Sequence, residues 1–461
     1  MTADILWWQW LLLTGSSLLL FLISPRAKDN DSFFAGASDT RQKPGFLMLT
    51  FSLAISWIFA KSITNAANLG LEFGIVGGLA YAVYYLSFLV AGIVIYQMRK
   101  EGGFASIHQF LERRFGRPAI FLFSILIGIR LLNEVWSNTA VIGSYFGASG
   151  SPQYIASVLV FTGLTLAYSL RGGLRSSLVT DMIQMSMFGI LLFVVLGTIL
   201  PKSDSVGSYL SSGEWSMPMG LNLLLVVFLQ IFSYPFHDPI MTDRGFISDE
   251  RTTLRSFVAA TVIGFFAILL FSFLGIYGRQ IGVSGQAAVE VSKTMGVFMM
   301  LITNFIMVTS AASTLDSTFS SVSKLFVVDI GLIRNVTISK GRLVMTFVTV
   351  AGSLPLLLTP EIISATTISG TMVLGLAPIF LFWRLPAPKL SFHLSFWTGI
   401  VAGIVLIFQL LPESWFFTSG KYADLLTINV YGTILSLVLY LMPYLMKKAS
   451  RKQPNFKFGP A

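Results

Sequence analysis

Long apolar segments, separated by short polar gaps, recur along almost the whole chain. Each is long enough to cross the hydrocarbon layer of a bilayer as a helix, which takes about 20 mainly apolar residues. Charged residues make up only 11% of the 461 residues, against about 25% in soluble domains, so too little polar surface remains to cover a water-facing globule. The sequence therefore predicts an all-α polytopic membrane protein.

Thirteen of these segments are predicted to cross the membrane. They cover residues 5–24, 45–67, 74–98, 118–146, 153–170, 176–200, 219–236, 254–278, 294–328, 342–359, 363–383, 394–411 and 426–446. The segments at 118–146 and 294–328 exceed one crossing, so we expect them to tilt or to extend past the interface. The gaps between segments are too short for a catalytic domain.

The net charge of +10 comes from basic residues that lie in the gaps between apolar segments. With the N-terminus outside, the inner gaps hold most of these residues, Arg244 among them, and the outer gaps hold only Lys202, Arg279, Lys293 and Lys421. This asymmetry follows the positive-inside rule. It predicts a multi-pass protein of the inner (plasma) membrane with a cytoplasmic C-terminus, and it speaks against nucleic acid as a partner.

Cysteine is absent, and the three histidines, His108, His237 and His393, are far apart in the sequence. Disulfides and thiolate metal sites are thereby excluded, and no nucleophile–base pair suggests an enzyme. We expect the lipid bilayer as the surrounding partner and no obligate protein partner. The basic segment 447–461 is interpreted as a cytoplasmic tail that contacts lipid, with a partner-binding segment as the alternative.

The ninth apolar segment has the densest polar pattern. Five hydroxyl residues recur at the spacing i, i+3, i+4, i+7 and i+11: Ser310, Ser313, Thr314, Ser317 and Ser321. This spacing places them on one helix face, beside Asp316. Because hydroxyl and carboxylate oxygens suit a hard cation, the pattern favours a sodium site. The alternative is that the hydroxyls bond their own helix backbone.

The second apolar segment is polar in its outer half. It carries Lys61, Ser62, Thr64, Asn65 and Asn68 and ends at Gly70. This pattern is typical of a discontinuous helix, whose freed carbonyls ligate a cation and whose half-helix ends face a substrate. The alternative for Lys61 is that its side chain extends from near a helix end to the interface.

Three further sites carry polar groups at membrane depth. Asp181 lies about one turn into the sixth segment, where either Arg175 or the hydroxyls of the ninth segment could face it. In the fourth segment, Arg130 and Glu134 are spaced i, i+4, which predicts a buried ion pair. Two prolines, at 235 and 239, interrupt the seventh segment beside Asp238, and a second broken helix is therefore expected.

Four stretches of this chain resemble the sodium:solute symporter family. They are FFAG at 33–36, YSLRGGLRSSLVTDMIQ at 168–184, DRGF followed by SDERTTLRS at 243–256, and SAASTLDSTFSSVSKLFVVDI at 310–330. The resemblance implies a leucine-transporter-like core of two inverted five-helix repeats, at 45–200 and 201–383. A peripheral helix and loop at 1–44 would precede this core, and two peripheral helices at 384–446 would follow it.

The resemblance also implies three groups of site residues, with Na⁺ as the only metal. The family's sodium site falls on Ile55, Ile58, Ser310, Ser313 and Thr314. A second sodium, found in some members, falls on Asp181, Ser313, Asp316 and Ser317. This second site would also supply a cation to Asp181 and Asp316, which otherwise lie unpaired at membrane depth. The substrate pocket falls on Trp57, Lys61, Ser62, Tyr81 and Tyr84.

The resemblance implies a sodium-coupled symporter that imports a small organic solute by alternating access. Trp57, Lys61 and Tyr81 stand where the family's sugar carriers have polar or acidic side chains, which favours an amino acid or a carboxylate over a sugar. One alternative is a proton-coupled or uncoupled carrier in which Lys61 replaces the sodium. Others are a membrane sensor built on the same fold and a channel or uniporter. The identity of the solute does not follow from the sequence.

Overall fold

The computed structural model describes residues 3–38, 42–203, 205–330, 335–358 and 362–452. In these ranges the chain consists of helices joined by turns and short connecting segments. The all-α class expected from the apolar segments is confirmed.

The helices follow the order of the predicted segments, with shorter helices in the gaps. In the first half they are α1 Ala3–Ile23, α2 Asn30–Ala35, α3 Phe46–Trp57, α4 Ala60–Phe73, α5 Ile75–Ala82, α6 Ser87–Lys100, α7 Ile107–Phe115, α8 Arg117–Ser144 and α9 Pro152–Ile199. In the second half they are α10 Val206–Leu210, α11 Leu221–Gln230, α12 Pro239–Arg244, α13 Glu250–Gln280, α14 Ala287–Thr294, α15 Val297–Lys324, α16 Ile338–Ser353, α17 Ile362–Met372, α18 Leu376–Leu381, α19 Lys389–Ile407 and α20 Ala423–Lys452.

Short helical turns of other types connect or extend several of these helices. The 3₁₀ turns cover Val83–Leu86, Leu200–Lys202, Met217–Met219, Tyr234–His237, Leu354–Leu358 and Glu413–Trp415, and a π turn covers Leu325–Asp329. At the end of the chain, α20 continues to Lys452. The predicted tail at 447–461 therefore begins within a helix rather than after it, and its residues 453–461 lie outside the described ranges.

Among the described residues, eight helical spans are long and apolar enough to cross a membrane, or nine if the bent pair α3 and α4 forms one crossing. Each predicted apolar segment falls on one of these spans or on a shorter or interrupted helix. The chain is therefore a multi-pass membrane protein. The count of thirteen crossings and the boundaries of the two repeats stay predictions.

Helix α9 is interrupted where the fifth and sixth predicted segments meet. Its 48 residues would span about 72 Å as a straight helix, more than twice the thickness of a hydrocarbon layer. At Gly173 the backbone turns, with φ 55° and ψ −139°. A side chain there would be strained, and its Cβ would lie 2.4 Å from the carbonyl oxygen of Phe33. Glycine thus allows a kink in the chain where it contacts α2.

Both predicted broken helices are confirmed. Helices α3 and α4 meet at an angle of 58°, across Ile58 and an extended Phe59. Helix α11 ends at Gln230, and α12 begins only at Pro239, after the 3₁₀ turn Tyr234–His237. Proline fixes its own φ and lacks an N–H, so it ends one helix and suits the first position of the next.

Helix α13 packs against α4 with almost no side-chain layer between the two backbones. A Cβ added at Gly275 would lie 1.7 Å from the carbonyl oxygen of Ala67. On the facing helix, a Cβ at Gly70 would lie 2.3 Å from the carbonyl oxygen of Ser272. Small residues at such crossings allow membrane helices to pack closely. The contact holds α4, the second half of the first broken helix, against α13.

We expect Gly275→Ala to lower the melting temperature of the purified protein in detergent. The added methyl group must separate α4 from α13, and overpacking of this kind costs about 1–3 kcal/mol. Gly163→Ala is the matched control, because a Cβ at that helical position meets no atom within 4 Å. Equal melting temperatures for the two variants would contradict the close contact.

Candidate ion and solute site

The break between α3 and α4 frees backbone carbonyls in the middle of the bundle. The last four carbonyls of a helix have no partner within it. Here the Ala54 carbonyl accepts the N–H of Ile58 at 2.9 Å, and the Trp57 carbonyl accepts the hydroxyl of Tyr85 at 2.7 Å. Ile55 and Ile58, both predicted sodium ligands, are fully buried in this stretch. Their carbonyls therefore lie where a cation could be held away from water.

The other three predicted sodium ligands lie on α15, and their hydroxyls differ in what they contact. All three residues are fully buried. The hydroxyl of Ser310 has no hydrogen-bond partner among the described residues, and that of Ser313 donates to Asp181. Thr314 donates to the carbonyl of Ser310 at 2.9 Å, which is the backbone bond considered as the alternative. Among the three hydroxyl oxygens, only that of Ser310 therefore has no partner among the described residues.

The side chain of Arg244 lies among the residues predicted to hold a second sodium. Its Nη2 donates to Ser317 at 2.7 Å and lies 3.3 Å from the Asp181 carboxylate. The same nitrogen donates to Ser177 at 3.3 Å, and Nε donates to Ser52 at 2.7 Å. A guanidinium therefore supplies the positive charge where the sequence suggested a metal ion.

Two expectations are corrected by this arrangement. Arg244 was predicted to lie in an inner polar gap with other basic residues, but its side chain is fully buried at the end of α12. The seventh apolar segment, predicted to end at 236, continues after its break. Asp181 faces a hydroxyl of the ninth segment, that of Ser313, as one of its two predicted alternatives had it, and its cationic partner is Arg244 rather than Arg175. A carboxylate at membrane depth requires a nearby cation. This requirement was the sequence signal that could have predicted a basic partner for Asp181.

The predicted second-sodium residues do not all form one cluster in this conformation. Asp181, Ser313 and Ser317 are joined through hydrogen bonds and Arg244. Asp316 instead accepts from Thr180 at 2.9 Å and from Tyr168 at 3.0 Å. Ser317 connects the two carboxylates indirectly. It accepts from Arg244, which is paired with Asp181, and its own hydroxyl lies 3.4 Å from the Asp316 oxygen.

We expect Arg244→Gln to destabilise the protein strongly in sodium-free buffer. The change leaves Asp181 buried without a cation, and breaking a buried pair costs about 3–5 kcal/mol. Sodium should restore part of the lost melting temperature, because it can supply the missing charge to the same oxygens.

Two variants control this experiment. Asp181→Asn combined with Arg244→Gln removes both charges and should recover stability. Arg251→Gln removes an exposed arginine at the start of α13 and should have little effect. A single Arg244→Gln variant as stable as the wild type would refute the structural role of the pair.

A small cavity lies between the two broken helices. It is lined by Trp57, Phe59, Ser62, Tyr81, Tyr84, Tyr85, Tyr234 and Thr366. Its free volume is about 10 Å³, room for about one water molecule. A larger solute therefore requires the bundle to open.

The cavity brings together four of the five predicted substrate residues: Trp57, Ser62, Tyr81 and Tyr84. Sequence reasoning missed Phe59, Tyr85, Tyr234 and Thr366. The predicted breaks were a usable signal for Phe59 and Tyr234, since each lies at one of them.

Hydrogen bonds hold three of the phenol groups around the cavity, those of Tyr81, Tyr84 and Tyr85. Tyr84 donates to Gln230 at 2.6 Å, and the Tyr81 hydroxyl accepts from Asn65 at 3.2 Å. The ring centroids of Tyr84 and Tyr234 are 5.4 Å apart, and those of Trp57 and Tyr234 are 5.8 Å apart. These distances are typical of attractive aromatic pairs. The aromatic walls are therefore rigid and face one another across the breaks.

The fifth predicted substrate residue, Lys61, takes part in a buried charge cluster beside the cavity. Its Nζ lies 2.5 Å from Glu134 Oε1, so extension to the interface is wrong. Glu134 also contacts Arg130, which confirms the predicted pair. Arg130 Nη2 lies 3.2 Å from Asp238 Oδ2. We call Lys61, Arg130, Glu134 and Asp238 the charged quartet.

Asp238 joins the quartet to both broken helices. Its Oδ2 accepts from Trp57 Nε1, at the end of α3, at 2.8 Å. Its Oδ1 caps α12 by accepting the N–H of Ile240 at 2.9 Å. A carboxylate at a helix N-terminus satisfies otherwise unpaired N–H groups. The break in each helix is therefore held by the same side chain.

The fold of this chain is similar to that of solved transporters. No protein-family model matches the chain, and no curated protein matches it. The substrate-bound outward-open state of a Na⁺-coupled sialic acid symporter has a TM-score of 0.71 at 14% identity, over 95% of this chain and 97% of that one. Mhp1, a nucleobase-cation-symport-1 family transporter, gives 0.58 in its closed conformation with bromovinylhydantoin bound, at 13% identity over 94% and 96% of the two chains.

The inward-facing conformation of Mhp1 is similar as well, with a TM-score of 0.55 at 13% identity over 92% of this chain and 96% of that one. Likeness at this level of identity concerns the fold. The expected leucine-transporter-like fold is confirmed, and membership of the sodium:solute symporter family stays a prediction.

Proposed function

We propose that the protein is a sodium-coupled symporter that imports a small organic solute across the inner membrane by alternating access. The observation that carries the proposal is the first broken helix. Its break frees backbone carbonyls at Ile55 and Ile58, and the same transporter-like fold buries the hydroxyls of α15. Cation-coupled carriers of this fold use such breaks to hold ions and solute at mid-membrane. The proposed orientation has the N-terminus outside.

The proposed sodium ligands are the carbonyls of Ile55, Ile58 and Ser310 and the hydroxyls of Ser313 and Thr314. All five residues are fully buried. The partnerless hydroxyl of Ser310 supports a ligand in this region, because a buried polar atom without a partner is costly. Oxygen donors of this kind suit a hard cation.

Sodium binding at one such site is sufficient to drive accumulation. A tenfold sodium gradient with a potential of ~100 mV supplies about 3.7 kcal/mol per ion, which sustains roughly 500-fold accumulation of a neutral solute. A second sodium at Asp181, Ser313, Asp316 and Ser317 would require Arg244 to leave these oxygens. In the conformation described here, one sodium is the simpler proposal.

The expectation of an amino acid or carboxylate solute was based on Trp57, Lys61 and Tyr81, of which only Lys61 carries a positive charge. Glu134 holds the Lys61 ammonium at 2.5 Å, so this argument no longer favours a carboxylate. The same contact weakens the alternative in which Lys61 replaces sodium, since its partner lies on α8 rather than on α15. A sensor or a uniporter on this fold would lack sodium-driven accumulation, which counterflow and gradient-driven uptake measurements distinguish.

We expect Ser313→Ala with Thr314→Ala to raise the sodium concentration that gives half-maximal stabilisation by tenfold or more. Each lost ligand is worth about 1–3 kcal/mol. The measurement is the sodium-induced shift in melting temperature of the purified protein, followed by sodium-dependent uptake in proteoliposomes once a solute is known.

Ser320→Ala is the matched control, because its hydroxyl lies on the same helix and donates to the Asp316 carbonyl at 2.8 Å. Its sodium dependence should equal that of the wild type. Unchanged sodium dependence in the double variant would refute the assigned ion site.

A further inference from the structure

The charged quartet is a closed, electrically neutral unit. It contains two cations and two carboxylates, and each of the four side chains is at most 2% exposed. Lys61 is paired with Glu134, and Arg130 with both Glu134 and Asp238. Glu134 is further held by Asn138, whose amide donates to it at 2.9 Å. Each of the four charges is therefore already paired within the quartet.

The quartet contacts three walls of the cavity. Lys61 Nζ lies 5.0 Å from the ring centroid of Phe59, and Arg130 Cζ lies 5.5 Å from the same ring. Arg130 also lies 5.4 Å from the Tyr234 ring centroid. The third wall, Trp57, donates to Asp238. A solute in the cavity would therefore lie within the electrostatic field of the quartet.

Binding in this cavity costs free energy for a solute of either charge. An anion would have to break an existing pair: taking Lys61 leaves Glu134 with Arg130 alone, and taking Arg130 leaves Asp238 buried without its cation. A cation would have to compete for the ring faces of Phe59 and Tyr234, which already contact protein cations, and it would be repelled by both. An uncharged solute meets neither cost.

The cavity also has hydrogen-bonding groups suited to an uncharged polar molecule. The hydroxyl of Thr366 is buried and has no hydrogen-bond partner among the described residues. The hydroxyls of Ser62 and Tyr81 lie 3.3 Å from each other on the cavity wall. Aromatic walls with a few fixed polar groups are typical of sites for small organic ligands, and ring faces stack favourably on a planar ligand.

We propose that the transported solute is uncharged, planar and polar, and that Glu134 determines this preference by neutralising Lys61 beside the cavity. The proposal rests on the transport function proposed above and names its solute class. Glu134 acts through Lys61 and is a positioning residue that sets specificity. Without the carboxylate, the same pocket would carry one unit of positive charge and would favour a carboxylate.

The test uses full-length protein in detergent with saturating sodium and probes of similar size that differ in charge. One set is benzamide, benzoate and benzylamine; the second is nicotinamide, nicotinate and 3-(aminomethyl)pyridine; uracil and proline add a further uncharged and a zwitterionic probe. The readout is the probe concentration that gives half of the maximal melting shift. For the wild type, we expect an uncharged probe to act at concentrations at least tenfold lower than its charged counterparts.

Three variants test the role of Glu134. Glu134→Gln should reverse the order, with the carboxylate probe acting at lower concentrations than the amide. Lys61→Met combined with Glu134→Gln restores neutrality and should restore the wild-type order. Glu290→Gln is the control, because it removes a carboxylate from an exposed pair with Lys293 and should leave the order unchanged.

The order of the probe concentrations measured for the wild type tests the proposal even if a variant fails to fold. A charged or zwitterionic probe that acts at lower concentrations than the uncharged ones, or no shift with any uncharged probe, overturns it. A Glu134→Gln variant that folds, with an intact sodium-induced shift, and keeps the wild-type order overturns the role of Glu134. Failure of the transport proposal is seen separately, as a wild-type protein that sodium does not stabilise.

Discussion

Charge compensation inside the hydrocarbon layer is the constraint on which the interior of this protein depends. A single ion at membrane depth is costly, and the bundle nonetheless buries Lys61, Arg130, Arg244 and several carboxylates completely. Each of these cations lies against a carboxylate: the charged quartet beside the cavity, and Arg244 against Asp181. Because such pairs need fixed partners, they join the helices that carry them: α4 to α8, α8 to α12, and α12 to α9.

The two broken helices and the two charge groups form one connected system. Asp238 caps α12 and accepts from Trp57 at the end of α3. At the other end of α12, Arg244 contacts Ser52 and Asp181, on α3 and α9. The short helix α12 is therefore held at both ends by charged side chains, and a cation bound near α15 would act on the same contacts that position the solute cavity.

The sequence was sufficient for the fold class and for both helix breaks, since apolar length, proline positions and polar residues at membrane depth are local signals. It also placed Trp57, Ser62, Tyr81 and Tyr84 in one pocket, through a family resemblance. It failed for Arg244, because the positive-inside rule counts arginines by sequence position and does not register one that folds back to reach a carboxylate. It also left the partner of Lys61 open, because pairing between α4 and α8 depends on how the helices pack.

Asp238 joins three helices through one side chain. A single carboxylate accepts hydrogen bonds from Trp57 on α3, from Arg130 on α8 and from the first N–H groups of α12. If any of these three helices rotates relative to the other two, the carboxylate must exchange partners in the same step. Movement of these helices around the cavity is therefore coupled through one aspartate, and none of the three can turn away without breaking a hydrogen bond of that carboxylate.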